Sequence, residues 1–445
     1  MKFIADFHLH SKYSRATSPK MDLENLEEWA KIKGIKVLGT GDFTHPFWFK
    51  NLKEKLEPAE SGLFKIKNYA SRNLDSRSAR IKNHASRNLD SRSARIKNNN
   101  TGTRFILSAE ISCIYSKGGK VRKIHIVVLA PSFDIVEKIN TRLEGIGNLS
   151  ADGRPILGLD AKELLKIVLN VSTDCLFVPA HVMTPWFSIF GSKSGFDSIK
   201  ECFNDYSKYI FVLETGLSAD PPMLWRIPDA QKAILISNSD AHSPANIGRE
   251  ANVFNTEISY PAIVEAIKSR DSEKFLYTIE FFPQEGKYHY DGHRMCGIRL
   301  APEESKKYNN ICPNCGRPLT IGVLNRIEQL SVEPKGFKLK GAIPFKSLVP
   351  LREIIAEVLG MGVATKGVEK EYKSLIENFG NELEILLNTS RDELEKVTLP
   401  EIAEGIIRVR EGKVFVEPGY DGVYGKVRIF SKGEQKSLSK QGVLF

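Results

Sequence analysis

The chain has 445 residues, 41% of them hydrophobic and 27% charged, a length beyond what one hydrophobic core usually supports, so two or three domains are expected. No apolar run approaches the ~20 residues that cross a bilayer, and Asp6 and His8 interrupt the N-terminal apolar stretch before it can form a secretory h-region; the expectation is a cytoplasmic protein with no membrane partner. The formal net charge of +10 is weak evidence for a polyanionic partner, because residues 66–98 alone contribute +7 through nine Lys/Arg and two Asp, leaving +3 for the remainder.

The first predicted element is a short strand, Phe3 to Phe7, that runs into "FHLHS". Alternation places His8 and His10 on one face and turns Leu9 away. Two imidazoles on one face suit a metal ion; a polar strand end whose histidines only hydrogen-bond is the other reading. A helix capped by Asp22 follows, with Leu23, Leu26 and Ala30 on one face, and a strand at Lys36–Thr40 delivers Asp42 in "GTGDFTH". Residues 66–95 are a tandem duplication, "IKNYASRNLDSRSAR" then "IKNHASRNLDSRSAR", within a basic insert of about residues 64–100. It reads either as an insertion without catalytic role or as a basic arm that touches phosphates.

Apolar, β-branched runs recur at Arg104–Ile111, Lys123–Ala130, Cys175–Ala180, Tyr209–Thr215 and Ala233–Ser237, with helical periodicity from Asp160 through Val168 and after Tyr260. This alternation predicts an α/β fold with a parallel sheet or barrel. Polar residues end the runs: Glu110 in "ILSAEIS", His125 in "KIHIVVLA", His181 in "VPAHVMTPW", Glu214 in "VLETG", and Asp240 with His242 in "ISNSDAHS". Taken singly, each fits a cap, a turn or a core histidine. Delivered together to one rim, they call for cations to neutralise and organise them. The loop "TPWFSIFGSKSGF" offers a substrate pocket built from Thr184, Trp186, Phe187, Ser192 and Ser194, or an ordinary loop whose aromatics pack on the rim.

Three cysteines, Cys113, Cys175 and Cys202, lie scattered in apolar surroundings and read as reduced core thiols. The others form a pattern. His293 and Cys296 are spaced by two residues, as are Cys312 and Cys315, which predicts a tetrahedral structural zinc with His293 favoured over His289 as the fourth ligand. Nearby basic residues, Arg294, Arg299, Lys306, Lys307 and Arg317, are either a DNA-facing clamp or a solvated face. Helical stripes follow at Leu351, Ile354, Ile355, Val358 and Leu359 and at Leu375, Ile376 and Phe379, then a helix–turn–helix around Leu399 and Pro400 and a Gly-bounded hairpin. The tail, with Gln435, Leu438 and Phe445, loosely resembles a sliding-clamp-binding peptide without its usual aromatic spacing; a flexible end is the default.

In their order, an HxH, an acidic motif, a Glu, two separate His and a terminal DxH, these residues resemble the PHP (polymerase and histidinol phosphatase) superfamily over about residues 1–280. More narrowly, "MKFIADFHLHSKYSRATSP", "PAHVMTPWFSIFGSKSGFDS", "ETGLSADPPM", "NSDAHSP", "KYHYDGHRMCGIRLAPEE" and "ICPNCGRPLTIGV" resemble DNA-repair endonucleases built on that domain, up to about residue 425. The resemblance implies a distorted (β/α)7-type barrel at 1–283, a zinc-binding module at 284–335, a mainly helical DNA-binding region at 336–427 ending in a hairpin, and a flexible tail at 428–445. It implies two or three divalent ions, Zn, Mg or Mn, held by His8, His10, Asp42, Glu110, His125, His181, Asp240 and His242, with Glu214 as a bridging or supporting candidate. Catalysis would rest on Asp240, Glu110, His8 and His10. The implied reaction is cleavage of DNA 5′ to a deaminated base (deoxyuridine, deoxyinosine, deoxyxanthosine) or an abasic site by a metal-activated water, in a nucleoid-associated enzyme. Two departures count against a third ion: Asp42 stands where a "TDH" motif would supply histidine, and "SRATSP" lacks the usual acidic or His ligand. His45 is a substitute ligand or a turn histidine. A small-molecule PHP phosphatase is the alternative reading, and a DNA-binding protein with a decayed metal site a third.

Overall fold

The computed structural model describes residues 1–67, 102–431 and 433–434. The duplicated insert, from residue 68 to 101, and the clamp-like stretch 435–445 lie outside the described residues. The core is a ring of seven strands: Lys2–Asp6, Val37–Gly39, Arg104–Lys117, Lys120–Ala130, Leu176–Pro179, Val212–Glu214 and Ile234–Ile236. Ala5, Phe7, Val37, Ile106, Val127, Leu129, Val178, Val212 and Ile236 fill its interior as one buried cluster, while Leu9, Leu38, Leu107 and Ile111 belong to a second cluster shared with the surrounding helices.

One member departs from the parallel arrangement. Lys120–Ala130 runs antiparallel to both neighbours, pairing Ser112 with His125 on one side and Ile126 with Pro179 on the other. The cause is local. Gly118 and Gly119 both take left-handed φ (61° and 71°), which closes a tight hairpin where a helix crossover would be needed for a parallel return. The ring is also incomplete as a ladder. Ala251–Asn255 occupies the edge of the first strand and continues through Phe275–Glu280 to Phe345–Ser347, so closure comes only at the mouth. There the His10 amide donates to the Ala241 carbonyl at 3.0 Å and the Phe7 amide to Asn238 Oδ1 at 2.9 Å.

The predicted helices form where their caps stand. Asp22 accepts from the Asn25 amide ahead of Leu23–Lys33, Asp160 from the Lys162 amide ahead of Ala161–Val171, and Ser259 from the Ala262 amide ahead of Tyr260–Ser269. Beyond the barrel, helices Leu351–Leu359, Lys366–Phe379, Glu382–Leu387 and Pro400–Arg410 pack on it through Leu351, Ile354, Leu375 and Ile402. The hairpin Phe415–Glu417 with Lys426–Arg428 folds back instead onto the region of the cysteine motif, where the Tyr290 amide donates to the Gly419 carbonyl. Cys113, Cys175 and Cys202 are buried, and burial pushes the Cys175 and Cys202 thiols up to about 12.

One buried ion pair ties the helical region to the first helix: Lys33 Nζ lies 2.6 Å from Glu382 Oε2, which also accepts from the Tyr372 hydroxyl at 2.7 Å. Removing one partner strands the other charge, so Glu382→Ala should lower unfolding stability by about 3–5 kcal/mol, whereas the joint change Lys33→Met with Glu382→Leu should recover most of it. Urea unfolding of the three proteins checks this; equal stability of Glu382→Ala and parent would contradict it.

Candidate metal centre

Five imidazoles and four carboxylates meet at the barrel mouth: His8, His10, His125, His181 and His242 with Asp42, Glu110, Glu214 and Asp240. Glu110 is their centre. Its Oε1 lies 2.6 Å from His125 Nδ1 and 3.0 Å from His181 Nε2, and its Oε2 lies 3.4 Å from His10 Nε2 and 3.7 Å from His8 Nε2. Potential ligand atoms gather in three overlapping groups, His8–His10–Glu110, Glu110–His125–His181 and His10–Asp240–His242. The third group exists because His10 Nε2 also approaches Asp240 Oδ1 to 3.0 Å.

Four of the five rings have a partner that fixes which nitrogen carries a proton. His8 Nδ1 donates between the two Glu214 oxygens, 3.0 Å from each, and His10 Nδ1 donates to Asp42 Oδ1 at 3.2 Å. His242 Nδ1 donates to the Asp240 carbonyl at 2.9 Å. Thr184 Oγ1, whose own proton goes to the Trp186 carbonyl, accepts from His181 Nδ1 at 3.0 Å. The rings of His8, His10 and His181 therefore turn lone-pair Nε2 atoms toward Glu110. His125 differs, presenting Nδ1 to the centre. Ring orientation by an outer acceptor is the arrangement that metal-ligating histidines use.

The donor set fits cations. His8 Nε2 is buried without a hydrogen-bond partner, and neutral lone pairs face carboxylate oxygens within 3.0 Å, contacts that repel unless a proton or a cation lies between them. Burial disfavours a charged imidazole, yet Glu214 and Glu110 hold His8 well above its ordinary range, and Asp240, Asp42 and Glu110 do the same for His10. His125, where burial dominates, falls to about 4. Buried carboxylate charge therefore exceeds what neutral imidazoles can balance.

Three candidate residues lie outside the grouped ligand atoms. Asp42 lies behind His10 rather than among the grouped ligand atoms: its Oδ2 accepts from the Ser11 amide (2.7 Å), Ser11 Oγ (2.6 Å) and Ser14 Oγ (2.9 Å), leaving Oδ1 for the ring. Glu214 supports in the same way, accepting also from Asn238 Nδ2 and the His181 amide. His45 stacks on Tyr13 at 4.4 Å and holds the N-cap position of the helix Pro46–Lys55 without a side-chain capping bond, outside the three groups.

The loop 184–196 braces the metal centre. Thr184 holds His181, the Phe187 ring lies 4.6 Å from that of His125, and Ser194 Oγ is occupied by the Phe187 amide and the Lys123 carbonyl. Ser192 is half-buried, and Trp186 is exposed and edge-on to Tyr288.

Sequence reasoning missed Arg154, whose Nη1 lies 2.9 Å from Glu110 Oε2. Its only mark was a polar "ADGR" between two apolar segments. Gly153 before it has a close-packing role: a Cβ there would collide with the Asp42 carboxylate and Ser14 Oγ.

The second predicted metal site is assembled. His293, Cys296, Cys312 and Cys315 bring their ligand atoms together, with His293 Nδ1 3.4 Å from Cys315 Sγ. Against burial, the Asn314 and Cys315 amides and His293 lower the Cys312 thiol to about 6, which suits a thiolate ligand. His289 lies apart, buried, and burial lowers its ring to about 4.

Comparison with known proteins places the whole arrangement. The crystal structure of the lesion-specific endonuclease PfuEndoQ from Pyrococcus furiosus superposes with a TM-score of 0.80 at 29% identity, covering 98% of this chain and 99% of that one. An endonuclease Q in complex with a 27-mer duplex substrate, with an abasic lesion at the active site, superposes at 0.79 with 30% identity over 97% and 98% of the two chains. The uncharacterized protein MJ0043 of Methanocaldococcus jannaschii is 39% identical over 272 residues, 58% of this chain and 33% of that protein, so this chain matches about a third of that relative's length. The family model of the MJ0043 C-terminal domain matches residues 350–413. The fold, shared over 97–98% of this chain with these structures, defines a DNA endonuclease. The chain belongs to the endonuclease Q family.

Two substitutions test the supporting roles. Asp42→Ala frees His10 to rotate and should weaken Mn2+ binding by about 10–100-fold, read by calorimetry on the metal-stripped protein; unchanged affinity would remove Asp42 from the site. Cys312→Ser should cost the protein one equivalent of zinc by elemental analysis while leaving Mn2+ binding at the barrel measurable; full zinc retention would contradict the assignment.

Proposed function

We propose that this chain is a metal-dependent, lesion-specific DNA-repair endonuclease that cuts the phosphodiester 5′ to deaminated bases and abasic sites. The observation that carries the reading is the three ligand groups sharing Glu110 and His10, in a chain that matches along nearly its whole length an endonuclease Q bound to an abasic duplex. The rival small-molecule phosphatase reading needs only the barrel and leaves the matching module and helical region without purpose.

Residues His8, His10, Glu110, His125, His181, Asp240 and His242 would hold two or three divalent ions. Bound there, such ions supply Lewis-acid activation of water and charge neutralisation at phosphorus. The chain's own groups do the rest. Glu214 and Asp42 keep His8 and His10 facing inward, and Glu110, with no solvent contact, ties the two sides of the site together. Arg154 touches Glu110 through one Nη while its side chain stays partly exposed, so its remaining donors suit a non-bridging phosphate oxygen of the scissile group. A lesion weakens pairing and stacking, so extruding that nucleotide toward the mouth costs least at damaged positions.

The same reading divides the chain into a barrel at 1–283, a zinc module at 284–335, a helical DNA-binding region at 336–427 and a tail, with the protein acting at the nucleoid. The C-terminal hairpin's return onto the module supports treating the latter two as one DNA-facing unit.

The test is to incubate the protein and Mn2+ with a labelled duplex carrying one deoxyuridine, and separately with histidinol phosphate. Nicking 5′ to the lesion with no phosphate release is expected; the reverse result would establish the phosphatase. His8→Ala and Asp240→Asn should abolish nicking while duplex binding persists. Arg154→Ala should lower the turnover rate by about 100-fold, and an undiminished rate would exclude it from the phosphate site.

A further inference from the structure

The zinc module reaches the barrel through the helix Val323–Leu330, and the contact is reciprocal. Barrel Arg226 forms a two-pronged pair with module Glu328, at 2.7 and 3.0 Å. Module Arg326, three residues into the helix, sends its guanidinium the other way: Nε donates to the Phe190 carbonyl at 2.9 Å, and Nη2 to the Phe196 carbonyl at 3.0 Å and to Asp197 Oδ1 at 2.5 Å. Arg326 is only 12% exposed.

Phe190 and Phe196 lie in the distal half of the 184–196 loop, whose proximal half braces the metal centre. Internal bonds make the loop one body: Phe190 N to Val182 O at 3.0 Å, Lys193 N to Pro185 O at 2.9 Å, Phe196 N to Ile189 O at 2.6 Å and Ser188 Oγ to Thr184 O at 2.5 Å. A displacement of the end that Arg326 grips therefore moves Thr184 against His181 and Phe187 against His125. On the module side, neighbouring Asn325 donates to Asp291 Oδ2 at 2.6 Å, and Gly322 N to Asp291 Oδ1 at 2.7 Å. Asp291 begins the short strand that ends in His293 of the cysteine cluster.

We propose that Arg326 is a positioning residue for the metal centre: by fixing the Phe190 and Phe196 carbonyls it sets the orientation of His181 and His125 around Glu110, and so couples the zinc module to one of the three ligand groups. This rests on the reading of Glu110, His125 and His181 as an ion site. Both ends of the coupling are contiguous hydrogen-bonded contacts, the physical form that such transmission takes. A lysine cannot replace the fork, because one ammonium on a flexible stem does not hold two carbonyls at fixed separation.

The experiment uses full-length protein with zinc retained and Mn2+ as the probe, without DNA. Arg326→Gln should weaken the Glu110-group Mn2+ site about 10-fold, seen by calorimetry or Mn2+ electron paramagnetic resonance. Zinc content and duplex affinity should match the parent, and Arg326→Lys should recover part of the loss. A purely structural role would lower melting temperature without moving Mn2+ affinity. Should Arg326→Gln fail to fold, Arg326→Lys alone decides, by weaker Mn2+ binding than the parent. Parent-like Mn2+ affinity in every folded variant, or a loss confined to duplex affinity, would overturn the proposal. Absence of Mn2+ binding by the parent would instead overturn the underlying reading of the site.

Discussion

Glu110 sits at the barrel mouth without solvent contact and within reach of four imidazoles and a guanidinium. Taking a carboxylate out of water costs several kcal/mol in effective terms unless opposite charge and hydrogen bonds surround it, and here three more carboxylates share the confinement. The surroundings answer that cost layer by layer. The inner layer supplies lone pairs, the next, Asp42, Glu214 and Thr184, supplies the acceptors that orient them, and a third of hydroxyls and amides, Ser11, Ser14 and Asn238, fixes the two carboxylates. A site built this way is unfavourable as an empty cage of neutral rings and carboxylates, and its natural completion is divalent charge.

Backbone conformation carries part of the load. Asp42, His181 and Asp240 take left-handed φ values of 49°, 28° and 47° at the ends of their strands, a region that costs a side-chain-bearing residue free energy and that recurs at functional sites. Each such turn lets the chain leave the barrel wall while its side chain stays at the mouth. The antiparallel Lys120–Ala130 strand has a related effect. It sends His125 in from mid-strand, opposite Ser112, with Nδ1 toward Glu110.

Much of the centre was legible because its chemistry is carried by residue types that have few other reasons to sit at strand ends. The HxH, the separate histidines, the DxH and the paired spacings of the cysteine motif all stand where expected, as do the helices capped by Asp22 and Asp160. What escaped depends on contacts between distant segments. The hydroxyls that hold Asp42 behind His10 belong to Ser11 and Ser14, 31 and 28 residues away. Arg154 reads as an ordinary loop arginine until folding sets it on Glu110, and Arg326 as a helix-surface charge until the 190–196 backbone comes against it. The aromatic loop was open to two readings in sequence, a pocket or a loop packed on the rim, and the structure sets its Phe187 ring against His125. The antiparallel strand was hidden because the apolar runs Arg104–Ile111 and Lys123–Ala130 leave eleven residues between them in sequence, and only the structure extends the strands to Lys117 and Lys120, which makes Gly118-Gly119 a two-residue hairpin turn.

The central claim, that the mouth is a cage for divalent ions organised on Glu110, is tested most directly by diffraction. Crystals soaked in Mn2+ and measured at the manganese absorption edge should show anomalous peaks between Glu110 and the His8, His10, His125 and His181 rings. Anomalous density confined to the cysteine cluster, with the mouth holding only water, would contradict the account.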